Sequence, residues 1–104
     1  MHELEIDVNK LKEKLGKVTL IDVRENMERN ICHIEPSSHL PLGNLMNHIG
    51  AINKNSEIVL YCHSGERSFV AARYMRDQGF KNVKSLAGGI NEWAHRIDPI
   101  MRRY

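Results

Sequence analysis

The stretch Glu57-Ile58-Val59-Leu60-Tyr61-Cys62-His63-Ser64-Gly65-Glu66-Arg67-Ser68 passes from an apolar, β-branched run through a short polar loop into a helical pattern. Glu57 to Tyr61 reads as a buried strand. Ser68 opens a segment with Ala71, Ala72 and Met75 at helical spacing, and Gly79 closes it. Cys62 therefore belongs at the carboxyl end of a strand, where the chain turns into a helix. Backbone N–H groups of such a loop converge on one point, and the helix that follows adds its positive dipole end. A thiol held there is favoured as the thiolate, which is the nucleophilic form. Arg67 places a permanent cation beside it. Cysteine is also a common buried hydrophobe. Gly65 in the turn, Arg67 nearby and the strand-end position favour a nucleophile instead, because ligands bind at strand ends in open α/β sheets. That interpretation collapses if the side chain is buried away from solvent with the surrounding amides turned elsewhere.

Outward from this loop, apolar runs alternate with helical patterns. Leu4 to Val8 fits a short edge strand, and Asp7 or Asn9 caps a helix carrying Leu11 and Leu15 that Gly16 ends. Val18 to Ile21 reads as a buried strand stopping at Asp22-Val23-Arg24-Glu25, followed by a charged segment to Asn30. His39 to Leu42 reads as a third strand ended by its proline, and Asn44 to Ile52 as a helix. Beyond Gly79, Phe80 folds back on the preceding helix. Val83 to Leu86 is the last strand, and Gly88-Gly89 opens a helix with Ile90 and Trp93. Such alternation predicts parallel strands joined by right-handed crossovers. Their carboxyl ends share one rim, which brings Asp22 and Arg24 near the Cys62 loop.

Composition narrows the function classes. The 104 residues fit a single domain, 1–104, able to bury its own core. Fifteen Lys and Arg against thirteen Asp and Glu leave a net charge of +2, which makes no case for nucleic acid or a membrane surface as partner. Two cysteines, Cys32 and Cys62, are too few for a disulfide scaffold. No stretch approaches the roughly 20 apolar residues of a bilayer span, and the first residues do not have the pattern of a signal peptide. A reducing, cytoplasmic location is the expectation. Cys32-His33 and Cys62-His63 raise a metal site, but adjacent ligands chelate one ion poorly and neither pair has zinc spacing. No metal is expected.

The chain resembles a rhodanese domain over nearly its whole length. Leu20 to Glu25, His33-Ile34 through Leu40-Pro41-Leu42, Val59 to Ser68, Gly79-Phe80 with Val83, and Leu86 to Ile90 with Trp93 carry the resemblance. It implies a parallel five-stranded sheet flanked by helices on both faces, and sulfur transfer through a persulfide on the active cysteine without metal or organic cofactor. Six residues from Cys62 through Arg67 match the sulfurtransferase branch, whereas phosphatase and arsenate-reductase relatives carry one more. Glu35-Pro36-Ser37-Ser38 departs from the family pattern and shifts the start of the third strand. Ile31 to Ile34 and the closing Trp93 to Pro99 with Tyr104 are similar to the rhodanese module of enzymes that adenylylate sulfur-carrier proteins for molybdopterin or thiamine synthesis.

The expected roles follow. Cys62 attacks thiosulfate or another persulfide donor and passes sulfur to a thiol, cyanide or a carrier protein. A sulfur-carrier protein or an adenylylating enzyme is the implied partner. Main-chain N–H groups of His63, Ser64, Gly65, Glu66, Arg67 and Ser68 cradle the anion, and Gly65 supplies a backbone conformation costly for other residues. Arg67 either orients the loop, attracts an anionic donor, or forms an ion pair with Glu66 or Asp22. Glu66 opposes anion binding and points to solvent, Ser68 caps the helix, and Asp22 and Arg24 support the strand end. Cys32 is either a resolving thiol or a buried side chain. The rival class is a binding module that keeps the fold with weak catalysis.

Overall fold

The computed structural model describes residues 1–104. Five parallel strands form one sheet in the order β1-β5-β4-β2-β3: Glu5–Ile6 (β1), Thr19–Asp22 (β2), Ser38–His39 (β3), Ile58–Tyr61 (β4) and Val83–Leu86 (β5). The helices are Val8–Lys14 (α1), Asn26–Ile31 (α2), Leu42–His48 (α3), Glu66–Asp77 (α4) and Gly89–Arg96 (α5). A single 3-10 turn, Ile49–Ala51, extends α3.

Side chains alternate across β4 and divide the core. Ile58, Leu60 and Cys62 face Leu45, Ala71, Ala72, Met75 and Phe80, from α3, α4 and the turn after α4. Val59 and Tyr61 face Val8, Leu11, Ile90 and Trp93, from α1 and α5. The sheet is thus covered on both faces, as its all-parallel pairing requires. β4 is buried at every position, which explains its continuous apolar run.

Local chemistry sets the element ends. Asp7 caps α1 by accepting the Asn9 N–H at 2.9 Å. Glu25 and Glu28 form a reciprocal capping box at the start of α2. At the end of α4 the Phe80 N–H donates to Met75 O and the Gly79 N–H to Arg76 O, each at 3.1 Å. This paired ending needs the positive φ of Gly79 and returns Phe80 to the core beside Met75.

Two expectations are corrected. The third strand lies at Ser38–His39 rather than His39 to Leu42, and its helix starts at Leu42 rather than Asn44. Pro41 is the N-cap of α3, its fixed φ suiting a helix start and its missing N–H costing nothing there. The backbone of Leu40 and Leu42 still donates to Asp22 O and Val23 O, continuing the link to β2 past the proline. Likewise α4 starts at Glu66, with Gly65 as N-cap, so Ser68 lies in the first turn and does not cap it.

Candidate active site

β4 ends at Tyr61 and α4 begins at Glu66, so Cys62 to Gly65 turn the chain through one short loop. Two N–H donors and one hydroxyl converge on Cys62 Sγ. The Gly65 N–H lies at 3.1 Å, the Ser68 N–H at 3.4 Å and the Ser68 hydroxyl at 3.4 Å. Cys62 is only 1 % exposed, yet the amides face its sulfur. The expectation of six converging amides is narrowed to those of Gly65 and Ser68, the two that reach Sγ. Gly65 is the N-cap of α4 and Ser68 its third residue, so the two amides that reach the sulfur flank those of Glu66 and Arg67 at the start of the helix. Ser68 Oγ also meets Ser85 Oγ of β5 at 2.7 Å, which anchors the hydroxyl from below.

Two glycines make this path possible. Gly65 has φ of 104°, in the region that L side chains rarely adopt. Gly89 packs its backbone against the loop: a Cβ there would lie 2.6 Å from Cys62 O and closer still to His63 O. Its approach lets the Ile90 N–H donate to Cys62 O at 2.9 Å and the Asn91 N–H to His63 O at 3.0 Å. The start of α5 therefore clamps the loop, with Gly88 and Gly89 close to Gly65 as well as to Cys62 and His63.

Asp22 and Arg24 reach the same rim and pair with each other. Arg24 donates from Nε and Nη2 to the two Asp22 oxygens at 2.9 and 2.8 Å, and both side chains are fully buried. Burial opposes the Asp22 charge, but the hydrogen bonds from the Arg24 side chain and amide outweigh it and hold the carboxyl below its ordinary range. Arg24 also donates to Cys32 O at 2.6 Å and to the Tyr104 hydroxyl at 3.0 Å. His39 Nε2 donates to Arg24 O at 2.7 Å. These groups brace the strand ends without touching the sulfur.

Arg67 pairs with Glu28 of α2, not with Glu66 or Asp22. Its Nη1 and Nη2 bond the two Glu28 oxygens at 2.8 and 2.9 Å. Tyr104 donates its hydroxyl to Glu28 Oε2 at 2.7 Å, and its ring stacks on His63 with centroids 4.1 Å apart. The Arg67 guanidinium, with further hydrogen bonds from Glu25 and Tyr104, holds Glu28 down to about 2. Burial pushes Tyr104 up to about 12. Sequence reasoning offered Glu25 and Glu28 as partners for Asp22 and Arg24 but missed the pairing of Glu28 with Arg67, the role of His39 and the placement of Tyr104, because no local signal marks such partners. Glu66 is exposed, and with Glu5, Ser64, Gly65 and Phe69 it lines an open cleft of about 360 Å³ beside the loop.

Cys32 packs with the Tyr61 face of the sheet, whereas Cys62 packs with the α4 face, so the two thiols lie on opposite sides. No group of three or more His, Cys, Asp or Glu side chains is placed to hold a metal ion. No helix is long and apolar enough to cross a membrane.

A family profile described as "Rhodanese-like domain" matches residues 7–96. The chain belongs to the rhodanese-like family. Among its relatives, a "Putative sulfur carrier protein YrkF" of Bacillus subtilis is 37 % identical over 97 residues, covering 90 % of this chain and 52 % of that protein. The chain thus spans about half the length of YrkF. A "Sulfurtransferase" of Allochromatium vinosum is 35 % identical over 100 residues, covering 93 % of this rhodanese-like chain and 94 % of its relative. A "Probable adenylyltransferase/sulfurtransferase MoeZ" of Mycobacterium tuberculosis is 36 % identical over 90 residues, covering 85 % of this chain and 23 % of that protein, which bears out the likeness to such modules. The crystal structure of a rhodanese-related protein from Thermoplasma volcanium superposes with a TM-score of 0.83 at 26 % identity, over 89 % of this chain and 92 % of that one. The expected fold is borne out, and sulfur transfer or sulfur carriage is what these relatives' names have in common.

Proposed function

We propose that this rhodanese-like domain is a sulfurtransferase that passes sulfur through a persulfide on Cys62. The observation that carries this reading is the convergence of the Gly65 and Ser68 N–H groups and the Ser68 hydroxyl on Cys62 Sγ. Fixed dipoles aimed at one atom stabilise negative charge there without reorganisation. In the first step the Cys62 thiolate attacks the outer sulfur of thiosulfate. The new S–S bond forms as the old one breaks, and sulfite leaves with the bonding electron pair. In the second step an acceptor such as cyanide takes the terminal sulfur as thiocyanate, which restores the thiolate. A persulfide donor reacts in the same way, with its own thiol leaving, and a thiol acceptor becomes the new persulfide.

The roles divide by position. Cys62 is the nucleophile. The loop from His63 to Ser68 forms the cradle, with Gly65 and Ser68 as its direct donors. Asp22 and Arg24 are positioning residues that fix the neighbouring strand end. The physiological acceptor in this reading is a thiol or a sulfur-carrier protein, supported by relatives named as a sulfur carrier and as adenylyltransferase/sulfurtransferases. A cytoplasmic, reducing setting suits a thiol that must be regenerated at each turnover.

The near-complete burial of Cys62 favours one other reading, a binding module of the same fold with weak catalysis. Thiocyanate production separates the two. Wild-type protein given thiosulfate or an organic persulfide should convert cyanide to thiocyanate, and Cys62→Ser should abolish conversion while keeping the circular dichroism of the folded protein. Equal rates in Cys62→Ser and wild type would refute the proposed nucleophile, and no conversion by wild type with any donor would favour the binding module.

A further inference from the structure

We infer that Glu28 is a specificity-determining residue, which biases the Cys62 loop against sulfur donors carrying two negative charges by neutralising Arg67. This rests on the sulfurtransferase reading above and selects among its donors. Arg67 is the only permanently cationic side chain within the loop from Cys62 to Ser68. Both of its terminal nitrogens are committed to Glu28, at 2.8 and 2.9 Å. The Tyr104 hydroxyl adds a third bond to Glu28 and fixes the carboxylate in place. Held down to about 2 by Arg67, Glu28 stays ionised across the working range of any sulfur transfer. The pair therefore presents no net charge to a donor.

The surroundings reinforce the bias. The cleft beside the loop is lined by Glu5 and Glu66 and by no Lys, Arg or His. Asp22 is shared by Arg24 and Arg29, at 2.8 and 3.2 Å, and neither guanidinium makes a hydrogen bond to the Cys62 loop. Arg102 and Arg103 are exposed and line a crevice of about 10 Å³ with Cys32, Asn91, Tyr104 and the loop residue His63. Attraction for an anion thus comes from the backbone amides and the start of α4, whose partial charge is about half an elementary charge. That supply suits the single charge of a persulfide on an organic or protein thiol better than the two charges of thiosulfate.

Glu28→Gln is the matching perturbation, since glutamine keeps the shape and one acceptor oxygen, enough for either the Tyr104 hydroxyl or the Glu25 N–H of the capping box, while freeing the Arg67 charge. The measured quantity is the ratio of kcat/KM for thiosulfate to kcat/KM for hydroxyethyl persulfide, with cyanide as acceptor. Coulomb's law near a screened surface predicts a rise of about tenfold in this ratio for E28Q. The double variant E28Q/R67Q should return it to within about twofold of wild type, because no cation is then released. In wild type, raising salt from about 20 to about 200 mM should leave the thiosulfate KM level or lower it, as screening weakens repulsion. An unchanged ratio in E28Q, or a wild-type thiosulfate KM that climbs steeply with salt, overturns the role of Glu28. The sulfurtransferase reading has its own readout: wild type must turn over the persulfide donor and Cys62→Ser must not.

Discussion

Replacing Gly89 with alanine should both destabilise the domain and disable the loop. The added Cβ would sit 2.6 Å from Cys62 O and closer to His63 O, both backbone atoms that cannot swing aside. The φ of 61° at Gly89 adds a left-handed penalty of roughly 1–2 kcal/mol for an L side chain. Relief of the clash means moving α5 away from the loop, which sacrifices the bonds from the Ile90 and Asn91 N–H groups to Cys62 O and His63 O. Two such bonds are worth about 1 kcal/mol each. The expected loss is therefore about 3–4 kcal/mol, a large share of the roughly 5–15 kcal/mol that holds a domain together. Urea unfolding measures this directly. Activity should fall further than stability alone explains, since misplacing a reactive group by about 1 Å costs on the order of a hundredfold. A Gly89→Ala protein less than about 1 kcal/mol weaker than wild type, with the wild-type rate of thiocyanate formation, would refute the clamp.

Two further outcomes follow from the charged groups around the loop. Asp22→Asn leaves the Arg24 guanidinium buried without its counter-charge and should cost about 3–5 kcal/mol, read as a lower urea midpoint at unchanged slope. Glu28 is depressed from its ordinary 4.5 to about 2 in the folded state, so its contribution to stability is complete above pH 4.5 and disappears as pH falls toward 2. Urea unfolding of wild type and Glu28→Gln at a series of pH values should show a stability gap that is constant from about pH 6 to 8 and closes on acidification through that window. A gap that widens toward low pH would contradict the Arg67–Glu28 pair.

Features written in local pattern were legible in the sequence. The apolar run of β4, the glycine-ended α4 with Phe80 folding back, and the cysteine at the strand end all depend on neighbours within a few residues. Each stands where the pattern put it, with α4 starting at Glu66 because Gly65 rather than Ser68 is its N-cap. The third strand was misplaced because Leu40-Pro41-Leu42 is apolar enough to read as strand, while Pro41 serves as a helix start. The partner of Arg67 was out of reach for a different reason. Glu28 is 39 positions away and Tyr104 is 76 positions from Glu28, so only the sheet order brings them to one rim. The number of amides facing the sulfur also depends on where α4 begins, which spacing alone does not resolve.

The central claim is that the sulfur of Cys62, held by the Gly65 and Ser68 amides, accepts and carries a second sulfur atom. Intact mass spectrometry of wild-type protein incubated with an organic persulfide and then desalted tests it, with fragmentation to locate the change. The account predicts a mass gain of one sulfur atom on the peptide containing Cys62, removed by cyanide and absent in Cys62→Ser. A gain located on Cys32 with Cys62 left unmodified, or an equal gain in Cys62→Ser, would contradict it.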